Sequence, residues 1–188
     1  GLQAHPHSKS GNRVIKYSAG MAIMYSPAFF TAHLWAKMSS TYPADGYSYP
    51  YQVMLSFWSM IVAFIGLWMM RKILLLYFDD LSTALALLSV VLASNYLDYA
   101  AVNNAMSHNY LFTLYALMLW QTSVFYKKAT FIKATLIGII AGLIALTRPT
   151  DIIIILIPIL WTMEFHKKEG WIKHFTFLKS QFPKIVLA

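Results

Sequence analysis

Between residues 53 and 70 the chain carries no charged side chain, and the same holds for residues 81–97, 109–126, 134–147 and 152–163. Apolar runs of this length leave few folds open. As helices they have no partner in water, and in lipid they must close their backbone hydrogen bonds internally. Composition points the same way. The chain is 59% hydrophobic and 12% charged, and its mean hydropathy of +0.55 lies outside the range of soluble globular domains. The expected class is an all-α integral membrane protein. It would be a multi-span helix bundle with about five spanning helices, at residues 51–77, 81–97, 109–126 and on either side of a turn at 148–151.

Residues 17–38 are ambiguous. They hold Gly20, Pro27, His33 and Lys37, so they are less apolar and carry a helix breaker. They either span, or lie in the interface as a broken amphipathic helix. The expected organisation is an outer-face loop and interfacial-helix region over residues 1–50, then a transmembrane bundle over 51–188 with a basic loop near 164–184. The polar start, without an initiator Met, and the apolar run opening at the end read as a fragment of a longer protein.

The net charge of +8 suggests nucleic acid until its placement is considered. Arg71-Lys72, Lys127-Lys128 with Lys133, and Lys167-Lys168 with Lys173, Lys179 and Lys184 sit at the ends of apolar runs, the bias of cytoplasmic loops rather than a basic face. Loops at 71–80, 127–133 and 164–184 would then lie inside, and those at 38–50, 98–108 and 147–151 outside. With no cysteine, disulfides and thiolate metal sites are excluded. His5-Pro6-His7 lacks a nearby third ligand, so neither a metal nor a cofactor is expected.

Arg148-Pro149-Thr150-Asp151 is the most informative short stretch. At about 1.5 Å per residue, the uncharged runs flanking it do not span a roughly 30 Å hydrocarbon core unaided. The turn is therefore drawn into the membrane surface or a cavity. An arginine there costs about 3 kcal/mol on insertion scales. It either faces an anionic ligand or polar pathway, or snorkels to headgroups while pairing with Asp151. In the loop 42–51, four tyrosines accompany Asp45 and Gly46, a composition that suits sugar stacking or an interfacial aromatic belt. In the stretch 103–110, His108 has the chemistry for phosphate orientation or proton transfer, while Asn103 and Ser107 equally suit helix capping. Gly138 and Gly142 form a small-residue pair explained by close helix packing.

Taken in order, Lys16-Tyr17-Ser18-Ala19-Gly20, Asp45-Gly46-Tyr47-Ser48, Met106-Ser107-His108-Asn109-Tyr110 and Leu146-Thr147-Arg148-Pro149-Thr150 resemble a bacterial GT-C membrane glycosyltransferase. The resemblance is to the enzymes related to dolichyl-phosphate-mannose protein mannosyltransferases and lipid A aminoarabinose transferases, and it covers most of residues 12–163. It implies transfer of a sugar from a polyprenyl-phosphate carrier to a glycan, lipid or protein acceptor, at the outer face of the bacterial cytoplasmic membrane. It also places residues 17–38 in the interface and the catalytic acid upstream of Gly1. Lys16 and Arg148 would hold the carrier phosphate. Asp45, Tyr49, His108 and Asn109 would contact sugar or acceptor. Cations suit the chemistry, because departure of a polyprenyl phosphate leaves negative charge on its oxygens. A transporter or flippase for a lipid-linked anion, and a non-catalytic membrane subunit, are the competing classes.

Overall fold

The computed structural model describes residues 4–6, 13–15, 19–162 and 168–186. The architecture is all-α apart from a short antiparallel ribbon, β1 (Ala4–Pro6) and β2 (Arg13–Ile15), in which Ala4 pairs with Ile15. Helices α1 (Gly20–Met38), α2 (Tyr49–Leu74), α3 (Asp80–Leu92), α4 (Ser107–Lys127) and α5 (Phe131–Thr147) follow. Then come a 3-10 helix (Pro149–Ile155), the short α6 (Leu156–Leu160) and α7 (Lys168–Val186).

Local chemistry sets the ends. Pro50 occupies the first turn of α2, where its missing N–H is harmless, and Arg71 and Lys72 close the last turn at the negative end of the helix dipole. Asp79 caps α3 by accepting from the Ser82 amide at 2.7 Å. Helix α1 runs unbroken through Pro27, contrary to the expectation of a broken helix. Proline deprives the Ile23 carbonyl of its usual donor, and the Ser26 hydroxyl supplies one instead, at 2.7 Å.

Two expected spans differ. The run at 81–97 is helical only to Leu92 before a π-helical turn at Asp98–Val102. Beyond it, Ser94 donates to the Val90 carbonyl at 2.5 Å and accepts from the Tyr96 amide at 3.2 Å, local bonds that compete with helix continuation. The run at 152–163 is, over its described residues, a 3-10 segment followed by one turn of α-helix. Its β-branched isoleucines are poor α-formers, and Pro149 and Pro158 each remove a donor. Among the described residues α2 alone is long and apolar enough to cross a membrane unaided. Helix α4 has 21 residues but mixes polar groups into its apolar sequence.

Helix α4 is central. Its Leu111, Leu114 and Met118 pack on Ile140, Ala141 and Ile144 of α5. On its other side it meets α2: Thr113 donates to the Val62 carbonyl at 2.8 Å, and Asn109 donates to the Ser59 carbonyl and hydroxyl at 2.8 and 3.0 Å. The two helices approach closely because Gly66 has no side chain. A Cβ there would lie 3.2 Å from the Thr113 Cα and collide with its hydroxyl. Helix α1 docks on α2 through Ala32 and Ala36 against Tyr51. Of the Gly138/Gly142 pair, Gly142 makes no comparable contact. A Cβ at Gly142 would meet nothing within 4 Å, and both glycines are exposed, so the helix-packing role expected for them belongs to Gly66.

Large apolar side chains face outward all round. Phe30, Phe64, Trp68, Leu81, Ile132 and Ile153 are each more than 60% exposed. The buried set includes Ser59, Thr83, Asn109, Thr113, Thr122 and Ser123.

Candidate functional site

Helix α5 stops at Thr147 because a proline follows Arg148, and a residue before proline is driven out of the helical region. Arg148 accordingly sits in extended backbone, at φ −141° and ψ 105°. Its amide still bonds the Ile144 carbonyl at 2.8 Å, and its carbonyl accepts from the Asp151 amide at 2.9 Å, so the turn is fixed by its own backbone. Asp151 is half-buried. Its carboxylate accepts from the hydroxyls of Tyr115 and, at 3.0 Å, Thr150. Tyr115 lies about 12 Å along α4 from its first residue, so the turn is recessed well below the start of that helix.

The Arg148 Nε approaches Asp151 Oδ2 only to 3.9 Å, and its side chain is 48% exposed. Its terminal nitrogens donate to no described residue. Beside this turn α1 begins at Gly20, packed so tightly on Leu146 and Thr147 that any Cβ would overlap their backbone. The N-cap residue of helix α1, Ala19, offers no side-chain cap, and the positive end of the helix dipole lies against Thr147, the residue before Arg148. A planar guanidinium whose terminal N–H groups meet no described acceptor, next to the start of a helix, can bind an oxyanion through two parallel hydrogen bonds.

No family model, curated protein or solved structure matches this chain.

The other anticipated residues are dispersed. Lys16 lies outside the described residues, and the described chain resumes three residues later at Ala19. Asp45 is fully exposed and accepts from the amides of Tyr47 and Ser48, both at 2.8 Å. Those two backbone bonds hold its carboxyl below the usual range and make it the anchor of the 39–48 loop. Tyr49 stacks on Tyr42 with ring centroids 5.7 Å apart, and both meet Trp35 edge-on. His108 is exposed and stacks on Tyr99 at 4.5 Å. Asn109 is fully buried in the α2–α4 contact. Its Oδ1 has no described partner, nor do the buried hydroxyls of Tyr110 and Tyr25, whose rings meet edge-on at 5.1 Å.

Sequence reasoning missed Tyr115, Ser59 and Tyr25. Tyr115 carried a weak signal, as a hydroxyl in the middle of an apolar run. Its pairing with Asp151 joins residues 36 apart in the chain, and nothing local encodes that.

Proposed function

We propose that this chain is a membrane-embedded helix bundle of the GT-C glycosyltransferase type, whose Arg148 turn holds the phosphate of a polyprenyl-phosphate-linked sugar during transfer to an acceptor at the outer membrane face. The reading rests on one observation above all. Arg148 stands in a recessed turn with its terminal nitrogens donating to no described residue, beside a helix start whose N-cap residue, Ala19, offers no side-chain cap, while Asp151 is already engaged by Tyr115 and Thr150. A guanidinium so placed stabilises charge growing on a departing phosphate more strongly than it does in water.

The membrane setting is supported by the distribution of side chains. Helices that turn Phe and Leu outward while burying Ser, Thr, Asn and Gly follow lipid-phase packing, where apolar burial contributes no drive between helices. Beyond α2, the shorter helices would span together with their flanks. Each of the aspartates has a hydrogen-bonding partner: Asp45 and Asp79 bond backbone amides, Asp80 Arg71, Asp98 Asn103, and Asp151 Tyr115. The general base is therefore not assigned to any of them, and the proposal here concerns the carrier site. Lys16 belongs to the same proposal. It lies four residues before Gly20, which touches Thr147.

A flippase for a lipid-linked anion is the second reading, favoured by the break from α5 into 3-10 and then α6, since broken helices line many transport sites. One experiment tests the shared premise and a second divides the two. Binding of undecaprenyl phosphate to the protein in nanodiscs should weaken roughly tenfold or more in Arg148→Ala, the loss of a charged hydrogen bond worth about 1.5–3 kcal/mol. Unchanged affinity in that variant would return Arg148 to a headgroup anchor. Sugar transfer from a polyprenyl-phosphate donor then separates transferase from flippase.

A further inference from the structure

Helix α2 ends in two adjacent cations with opposite surroundings. Arg71 is neutralised by Asp80, with Nη2 to Oδ1 at 3.1 Å. Lys72 has no carboxylate or carbonyl partner among the described residues. Its ammonium instead lies 5.6 Å from the ring centre of Trp68, one turn earlier on α2, and 5.4 Å from that of Trp120 on α4. Neither indole N–H donates to a described residue. The Lys72 ammonium is therefore held against two ring faces with no described hydrogen-bond acceptor, chemistry that suits an oxygen-rich anion.

Two further features say what kind of anion. Lys72 terminates a stripe of exposed apolar residues on α2, formed by Phe57, Met60, Phe64 and Trp68, with exposures from 44% to 69%. Their spacing keeps them on one helical face over about 17 Å. Met60 and Phe64 also line an apolar cavity of about 180 Å³, closed on its other side by Val91, Tyr96 and Ala100. An apolar track that ends in an ammonium without a described acceptor fits an amphiphile with a phosphate head. Lys72 is about 34 Å along α2 from its first residue, roughly a hydrocarbon thickness away.

We propose that Lys72, held between Trp68 and Trp120, binds the phosphate of an anionic phospholipid whose acyl chain lies along the exposed face of α2. The site shares only the membrane setting with the proposed function. Trp120 is five residues beyond Tyr115 on α4, on a face about 140° away from it, so the Arg148 turn and Lys72 are separate sites.

The test is thermal unfolding of the full chain in detergent, titrated with dioleoyl phosphatidylglycerol, with dioleoylglycerol of the same chains, and with inorganic phosphate. The phosphatidylglycerol should raise the midpoint saturably and dioleoylglycerol should not. Apparent affinity should fall at least tenfold in Lys72→Gln, stay within about threefold in Lys72→Arg, and be unchanged in Arg148→Ala. Equal affinity in Lys72→Gln, or equal stabilisation of wild type by the two lipids, would overturn the proposal. So would equal stabilisation by inorganic phosphate, which would make this a site for a free anion. Should Lys72→Gln fail to fold, the three wild-type titrations decide. Loss of undecaprenyl phosphate binding in Arg148→Ala with phosphatidylglycerol binding retained keeps the two proposals apart.

Discussion

Helices α3 and α4 invert the pattern expected in water. Beyond Asp79 and Asp80, α3 is mostly apolar, yet its one buried residue is Thr83, while Leu81, Leu85, Leu88 and Leu92 are each more than half exposed. Helix α4 is more polar, yet it is the most enclosed element, with Asn109, Thr113, Thr122 and Ser123 buried. In water the hydrophobic effect would draw the leucines inward at about 25 cal/mol per Å². Where the surroundings are as apolar as leucine that drive vanishes, and close approach and hydrogen bonds decide which side chains face a neighbour. The contrast is therefore informative about the solvent this fold is built for.

The sharpest way to break that contrast is to charge α3. Leu88→Lys should impair membrane insertion of the α3 segment by about 3 kcal/mol, read as the inserted fraction in a translocon assay. If the fold were built for water, the same change would leave folding intact and improve solubility. On the other side of the comparison, Gly66→Val puts bulk where α2 and α4 touch at Thr113. Overpacking of this kind costs about 1–3 kcal/mol, measurable as a lower unfolding midpoint in detergent. A neutral result would show that the α2–α4 contact is not tight.

The smallest expected effect lies outside both helices, at Asp45. Its carboxyl is held below its usual range by two backbone amides, so the loop's order is fully present above the unfolded-state value of about 3.9 and is lost as pH falls through the lowered folded value. Corrected for the intrinsic exchange rate at each pH, protection of the Tyr47 and Ser48 amides should therefore be present at pH 6 and be lost only in strong acid. Equal protection factors at pH 6 and in strong acid would remove Asp45 from its anchoring role.

Much of this was legible from the sequence, and unevenly. Helices α4 and α5 fall where the uncharged runs and their flanking lysines put them, because charge and helix breakers mark boundaries locally. The end of α3 at Leu92 was not legible, since serine hydroxyls redirect the backbone there without any change in hydrophobicity. Of the site, the turn at Arg148 was visible as a proline and two charges. The resting state of its neighbours was not. Asp45 did carry a readable signal, an Asp-Gly pair in a turn whose carboxylate bonds amides two and three residues on.

The sequence by itself determined that this chain is helical, where most helices lie, and that charge collects at their ends, because periodicity, proline and the avoidance of buried charge act over a few residues. Tertiary structure decided which face of each helix is inside. It chose Gly66 rather than Gly142 for the close contact, turned Asn109 inward to Ser59, joined Tyr115 to Asp151 and set Lys72 between two indoles. Each of those outcomes, the α2-internal Trp68 contact aside, depends on a partner from another part of the chain, and only packing brings such partners together.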